Sequence, residues 1–359
     1  MPKITIIVPV YNGSKYLRRA LGSILEQTIA REKLKVLVID DGSTDSSNSI
    51  AQSFVNSHPY TFELITQKNQ GTAKTRNKGI SKVQTKYTAF LDQDDWFDKD
   101  YLEKLYDAAQ KTGADVVACG FRRALGASQE GDNDGEVVQK PRYTRKTKNN
   151  LWYPYTHLEA WAKLHRTDFI QAVGATFFNN PFGEDIPFSV AENLHAHFEV
   201  IDYVGYNWFD NPTSVSATVH KEFADIKLDR LLRKLKKFRT VPPLSSLRTA
   251  SPAQRLDDLT PNDILLEYYT AVVATYAVLH SSVNAKKPQF IANASAAIST
   301  LLKLFPDLEQ NPYLKKRPTG CPLKTSQAVK LLLNAYNSDN LGKFYLLYRF
   351  PLVNFVERK

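Results

Sequence analysis

Cysteine is scarce in this chain. Its 359 residues include two, Cys119 and Cys321, far apart and without ligand spacing around either. That pattern excludes a disulfide framework and a cysteine-built zinc site, and it suits a reducing cytoplasm with two buried, inert thiols. Long hydrophobic runs are missing too. No stretch approaches the roughly 18 apolar residues of a membrane span. The first apolar run, "ITIIVPV" (4–10), has strand length, with one lysine before it and no small-residue cleavage site after it. It reads as a strand and not as a signal peptide. Neither an internal repeat nor a low-complexity tract is present, so ordinary globular domains are expected, two or three at this length.

An excess of either charge is absent from residues 1–220, which balance to −1. The basicity sits in residues 221–359, where 22 Lys and Arg face 11 Asp and Glu. The net charge of +10 raises the question of nucleic acid. The basic third carries no recognised nucleic-acid module, and the acidic clusters upstream repel phosphate, so no nucleic-acid partner is expected.

What is present is a strand–helix alternation over the first 120 residues. Short β-branched or aromatic runs fall at 4–10, 34–40, 61–66, 86–92 and 114–120. Between them apolar residues recur at three and four, as in Tyr16, Leu17, Ala20, Leu21, Ile24 and Leu25. Such a pattern predicts an α/β fold with a mostly parallel sheet flanked by helices. Residues 121–150 read as a long polar surface loop. From about 222 the pattern turns helical, with "LDRLLRKLKKF", "ILLEYYTAVVATYAVLH" and "QAVKLLLNAY" punctuated by prolines. The expected division is a catalytic domain over 1–220, with halves 1–120 and 121–220, and a basic helical domain over 221–359.

Ligands of such sheets sit at the carboxyl ends of the strands, and three polar clusters fall there: "PVYNG", "DDGSTD" and "DQDD". In "DDGSTD" (40–45), Asp40 closes the strand and Asp41 is free to accept from a nucleobase or ribose. The plainer alternative is a strand, turn and helix cap. "NQGTAKTRN" (69–77) puts Arg76 on a helix, where it is solvated, neutralises the acidic strand ends or binds a base carbonyl. In "AFLDQDDW" (89–96), Asp92 and Asp94 reach one side only if the strand has broken into a turn. There they suit Mg²⁺ or Mn²⁺, with diphosphate completing the shell. The alternative is an acidic turn before a helix near Asp98.

Together "IIVPVYNGSKYLRRALGSILEQT", "VLVIDDGSTDSS", "QGTAKTRNKGI" and "AFLDQDDW", in that order, resemble the family 2 glycosyltransferases of the GT-A fold. The resemblance covers roughly residues 1–220 and is specific over the first 110. It implies a Rossmann-like sheet, a UDP-sugar donor, inverting transfer to an acceptor hydroxyl, and Mn²⁺ or Mg²⁺ as cofactor. By position it implies that Pro9, Val10 and Tyr11 line the base pocket, that Asp41 pairs with the base, and that Arg76 supports it. Asp92 and Gln93 contact the donor, while Asp94, with Asp92, ligates the metal. "FGEDIPFS" (182–189) resembles the acidic pair of these enzymes, making Asp185 the base and Glu184 an acceptor contact; "WAKLHRTDF" (161–169) resembles the segment before it. His220, in "SATVHK", is a candidate further metal ligand, and a plain surface histidine otherwise. Trp208 is a candidate acceptor contact among four tryptophans, most of them expected in the core.

The acceptor class stays open among teichoic acids, lipid-linked polysaccharide intermediates and glycoproteins. A catalytically weak nucleotide-sugar-binding protein is the alternative to an enzyme. For the basic helical region two readings stand side by side: docking to an anionic membrane face or polymer, or a helical bundle that packs or oligomerises.

Overall fold

The computed structural model describes residues 1–124, 159–180, 183–211, 226–238, 261–281 and 285–346. Among these, one compact unit holds residues 1–124, 159–179 and 184–211, and a second holds 180, 183 and the residues from 226 onward. The expected boundary near 220 lies outside the described residues.

In the first unit eight strands make one mixed sheet in the order β3-β2-β1-β4-β7-β6-β8-β5. The strands are β1 (Ile4–Val10), β2 (Leu34–Asp40), β3 (Phe62–Thr66), β4 (Tyr87–Phe90), β5 (Trp96–Phe97), β6 (Val116–Ala124), β7 (Lys163–Arg166) and β8 (Phe198–Phe209). The four strands β3, β2, β1 and β4 run parallel, with Ile4 opposite both Leu34 and Tyr87. Strand β7 pairs antiparallel with β4 and β6, and β5 antiparallel with β8. All seven residues of β1 are buried. A central parallel strand covered on both faces reads as a continuous apolar run, and its sequence does.

Helix α1 (Leu17–Leu25) follows β1 and buries Leu17, Ala20, Leu21 and Ile24 against Ile4, Ile6, Val8 and Val10. The helices α2 (Ser47–Ser57) and α3 (Thr72–Lys82) are the next two crossovers. Gly71, at φ +90°, turns the chain into α3, a conformation that glycine adopts freely. A Cβ on Gly79 of α3 would stand 2.6 Å from Ile7 Cγ2, so this helix lies unusually close to the sheet. Helices α4 (Tyr101–Thr112), α5 (Thr167–Ala172) and α6 (Ile186–His195) complete the unit.

Two local expectations need correction. Residues 121–124 are strand and not loop, because β6 continues beside β8 through Ala124; the rest of the expected loop lies outside the described residues. Ser46 precedes α2 but makes no side-chain cap. The donor there is satisfied by Asp45, whose Oδ1 accepts from Ser47 N at 2.9 Å.

The second unit is helical. Helix α7 (Leu228–Lys236) buries Leu228, Leu231, Leu232 and Leu235, a spacing that makes one apolar stripe. Helix α8 (Pro261–Ser281) is apolar nearly all round and buried along most of its length. It contacts α7, α9 (Lys287–Leu304), α10 (Pro312–Lys315) and α11 (Leu323–Asn337). The bundle reading therefore accounts for the apolar helix. Part of the basic run is engaged locally: Arg233 pairs with Asp229 on the exposed face of α7, and Lys236 donates to the Leu304 carbonyl. Among the described residues no helix is long and apolar enough to cross a membrane. Both cysteines are buried, and burial pushes the Cys119 thiol up to about 12 and that of Cys321 to about 11, which keeps them unreactive.

Candidate active site

Strands β1, β2 and β4 end at one edge of the sheet, and the loops that follow them are tied together by their own polar groups. Gln93 reaches across to Tyr11, accepting from its N–H at 2.8 Å and donating to its carbonyl at 3.1 Å. Asn12 donates its N–H to Ser43 Oγ and accepts from Thr44 N. Asp45 accepts from Ser14 N and Ser47 N; despite some desolvation, these bonds hold its carboxyl at about 2.

The three carboxylates of "DQDD" have three different environments. The strand breaks at Phe90, and a turn closes with Asp95 N donating to the Asp92 carbonyl. Asp95 is 1% exposed, accepting from Tyr206 OH at 2.6 Å and from Phe209 N at 2.8 Å. Burial, with Asp92 and Asp94 nearby, raises its carboxyl well above the usual range. Asp94 accepts from Asn211 Nδ2 at 2.9 Å, and burial raises its carboxyl, Asp92 adding to the effect. The Asp94 carbonyl takes a bond from Arg19, whose guanidinium lies 3.9 Å from the centre of the Trp96 ring.

Asp92 faces Arg76, the centre of the site. Arg76 is 4% exposed and sits on α3. Its Nη2 is 2.6 Å from Asp92 Oδ1, and its Nη1 is 2.6 Å from Glu184 Oε1 and 3.2 Å from Asp185 Oδ1. The Phe177 ring lies beside the guanidinium. One buried cation therefore joins the strand end to the acidic pair that opens α6. Three carboxylates around one cation leave a net negative centre. Asp185 responds: burial raises its carboxyl, with Arg76 opposing and Glu184 and Asp92 adding, to about 7. Its side chain is 22% exposed, so it remains open to a reacting partner.

Residues 5–173 match the family model described as "Glycosyl transferase family 2". Those residues, just under half of the chain, carry the pattern of that family. The match stops short of Glu184 and Asp185, whose place in the site is given by Arg76. The uncharacterized glycosyltransferase EpsJ of Bacillus subtilis is 27% identical over 243 residues, covering 64% of this chain and 67% of EpsJ. The minor teichoic acid biosynthesis protein GgaA of the same organism is 41% identical over 106 residues, 29% of this chain and 24% of GgaA. The chain thus spans only a part of such relatives. In overall fold it is similar to S. aureus TarS 1–349 in complex with UDP-GlcNAc, with a TM-score of 0.61, 18% identity, and coverage of 94% of this chain and 92% of that one. The likeness agrees with a GT-A sheet followed by a helical region.

In the first unit, Asp92, Arg76, Glu184 and Asp185 come together, and Asp94 stands two residues from Asp92. The other expected positions fare differently. Pro9 is buried, and the Val10 side chain belongs to the core, 2% exposed; Tyr11 is 47% exposed. Asp41 is 3% exposed and already accepts from Gln67 Nε2, Gln70 N and Gly71 N. It shapes the loop that leads into α3. Trp208 is half-buried, with the Arg123 guanidinium 5.4 Å from its ring centre. Trp161 stacks on Tyr206 and belongs to the core side. His220 lies outside the described residues.

For a divalent cation the donors are hard oxygens, as Mg²⁺ and Mn²⁺ prefer, and a cation would offset the burial, and the nearby Asp92, that raise the Asp94 carboxyl. Asp92 and Asp94 fit such an ion as partial ligands. No group of three or more His, Cys, Asp or Glu side chains among the described residues forms a complete site, so water and diphosphate oxygens would make up the shell. Reasoning from sequence missed Gln67, Tyr206 and Asn211, which hold the carboxylates of Asp41, Asp95 and Asp94, and Arg19, which holds the Asp94 carbonyl. Their signals are ordinary polar or aromatic residues whose partners lie 26 to 117 positions away.

Proposed function

We propose that this chain moves a sugar from a UDP-sugar to an acceptor hydroxyl, with inversion at the anomeric carbon, in building a bacterial cell-surface glycan. The observation that carries the proposal is the bridge from Arg76 to Asp92 on one side and to Glu184 and Asp185 on the other. It ties a donor-side strand end to a carboxyl whose pKa of about 7 suits a general base. Asp185 takes the proton of the acceptor hydroxyl as that oxygen attacks the anomeric carbon opposite the leaving diphosphate. Glu184 lies beside the incoming hydroxyl. Arg76 keeps the two carboxylates apart from Asp92 and fixes the direction of the Asp185 carboxylate. At the strand ends, the clipped loops at Tyr11, Asp41 and Gln93 form the nucleoside side.

Asp94 and Asp92 would hold Mn²⁺ or Mg²⁺, which supplies charge neutralisation at the diphosphate. TarS binds UDP-GlcNAc and GgaA serves minor teichoic acid synthesis, which supports UDP as nucleotide and a teichoic acid, polysaccharide or glycoprotein acceptor. The basic helical unit is proposed to meet the anionic acceptor or an anionic membrane face.

The test is UDP release from a panel of UDP-sugars, with and without Mn²⁺ or Mg²⁺, and with and without purified wall polymers. Metal-stimulated release from one donor supports the reading. No release above buffer from any of them would overturn it.

A further inference from the structure

A second charged cluster lies behind the site, in the core and away from solvent. Lys163 and His165 stand two residues apart on β7, so both project from one face of the sheet. Glu192 on α6 meets them: Lys163 Nζ is 3.1 Å from its Oε1, and His165 Nδ1 is 2.6 Å from its Oε2. His165 Nε2 faces the Ala160 carbonyl at 2.9 Å. The side chains of Glu192 and His165 are fully buried, and that of Lys163 is 3% exposed. Burial alone would raise the Glu192 carboxyl, but His165 and Lys163 hold it below the usual range. The surroundings are aromatic, with Phe90 and Phe188 edge-on to the His165 ring.

Burying charge in such a place is costly, and well-packed apolar residues often serve stability as well or better. The position of the cluster gives a different reason for it. Asp185 stands at the N-cap of α6, and Glu192 follows seven residues later, about two turns on, hence on the same helical face. Ser189, between them on that face, is also buried. Strand β7 pairs with β4, Thr88 opposite His165, and β4 runs on into Asp92. Arg76 holds the first turn of α6; the Glu192 cluster holds its last turns to the strand beside the one that delivers Asp92. Ile186, Phe188, Val190 and Ala191 seat α6 on the core, but apolar contact is non-directional, and a carboxylate that must meet a hydroxyl within hydrogen-bond reach tolerates little rocking.

We infer that Glu192, clamped by Lys163 and His165, is a positioning residue that fixes the tilt of α6 and thereby aims the Asp185 carboxylate. The inference rests on Asp185 as the proton acceptor. It assigns no contact with substrate to the three residues themselves.

Two variants test it: Glu192→Gln, which keeps shape and removes charge, and the apolar triple Lys163→Met, His165→Phe, Glu192→Leu. Four quantities are measured on the full chain: thermal midpoint, UDP binding by calorimetry, UDP release from the active donor, and water exchange of the Arg76 guanidinium protons by ¹⁵N NMR. The triple variant is expected to melt at or above the parent and to bind UDP with the parent Kd. Its UDP release should fall about tenfold or more, and the Arg76 protons should exchange faster as Glu184 and Asp185 loosen. Glu192→Gln should show the same split in milder form. Parent-like turnover and exchange in the folded triple variant would overturn the inference. So would a turnover loss that only follows the unfolded fraction, or unfolding of both variants, since each makes the cluster a stability element. If the parent releases UDP from no donor, the functional reading falls, while Arg76 exchange still decides the clamp.

Discussion

Arg76 and Glu184 are 108 residues apart in the chain and 2.6 Å apart in the fold. That contact, with its neighbours Asp92 and Asp185, makes one guanidinium responsible for three carboxylates. Arg76→Met should leave all three facing one another. Breaking a wholly buried pair costs about 3–5 kcal/mol; here the carboxylates keep some solvent, so a loss of about 2–3 kcal/mol is expected. Without Arg76 to oppose burial, the Asp185 carboxyl rises further above its unfolded value, so the stability of the variant falls as pH rises. Urea midpoints at pH 5 and pH 8 check this. A deficit that is larger at pH 5 contradicts the arrangement.

Asp185 carries the pH dependence of the reaction. Its carboxyl sits at about 7, and only the ionised form accepts a proton. The kcat/KM for UDP-sugar should therefore rise with pH along a limb centred near 7, dropping about tenfold per unit below it. Asp185→Asn should abolish the limb and cost roughly 10²–10⁴ in turnover, with UDP binding unchanged. The stability effect has the opposite sense. The folded value lies above the unfolded 3.8, so this group favours folding below about pH 4 and loses that contribution as pH rises through 7. The asparagine variant should then be the more stable protein at pH 8. Loss of UDP binding together with turnover would place Asp185 in the donor site.

Much of this fold was legible because its first four parallel strands and their crossovers follow local rules. β1 and β2 match their apolar runs at both ends, since a strand covered on both faces permits little else. β6 did not: Arg122 and Arg123 look like loop residues, and only the partner strand β8 makes 121–124 a strand. At the site, sequence brought out the acidic positions and Arg76. It did not show that Asp41 spends its oxygens on Gln67, Gln70 and Gly71, or that Asp95 is structural. Nor did it show the Lys163–His165–Glu192 cluster, although "WAKLHRTDF" contains two of the three. In each case the deciding partner is remote in sequence, and a polar side chain does not announce whom it will meet.

Asp94→Asn should remove the response to Mn²⁺ and Mg²⁺, because a neutral amide binds a hard cation far more weakly than a carboxylate. UDP release is titrated with metal in parent and variant. The amide still pairs with Asn211 and relieves the raised Asp94 carboxyl, so the variant should fold at least as stably as the parent. A parent-like metal response would move the ligand elsewhere.

Gly79 and Gly22 form a matched pair of helix glycines with opposite surroundings. An added Cβ at Gly22 meets nothing within 4 Å, whereas at Gly79 it meets Ile7 Cγ2 at 2.6 Å and Ile39 Cδ1 at 3.2 Å. Gly22→Ala should stabilise by up to about 1 kcal/mol through helix propensity. Gly79→Ala gains the same but overpacks, at a cost of about 1–3 kcal/mol, so it should be a net loss of about 1 kcal/mol. It also pushes α3 from the sheet and with it Arg76, so turnover should fall in this variant alone. Denaturant midpoints of equal sign in the two variants would refute the close approach of α3.

Tyr206 separates the structural carboxylate from the chemical ones. Its hydroxyl donates to Asp95 at 2.6 Å, while its ring stacks on Trp161 with centroids 4.8 Å apart. Tyr206→Phe keeps the ring and deletes the donor. A buried acceptor left short of a partner costs about 1–3 kcal/mol. The hydroxyl favours the ionised carboxylate, so its loss raises further a carboxyl that burial already holds well above the usual range. A raised carboxyl destabilises the fold increasingly as pH rises above the unfolded value, so the deficit should be larger at pH 8 than at pH 4. Metal response should persist, because Asp94 keeps Asn211 and the Asp94 carbonyl keeps Arg19. Urea midpoints at both pH values, with a Mn²⁺ titration of UDP release, measure all three effects. An equal deficit at both pH values would mean that Asp95 does not feel the Tyr206 hydroxyl, and loss of the metal response would make Asp95 part of the cation site.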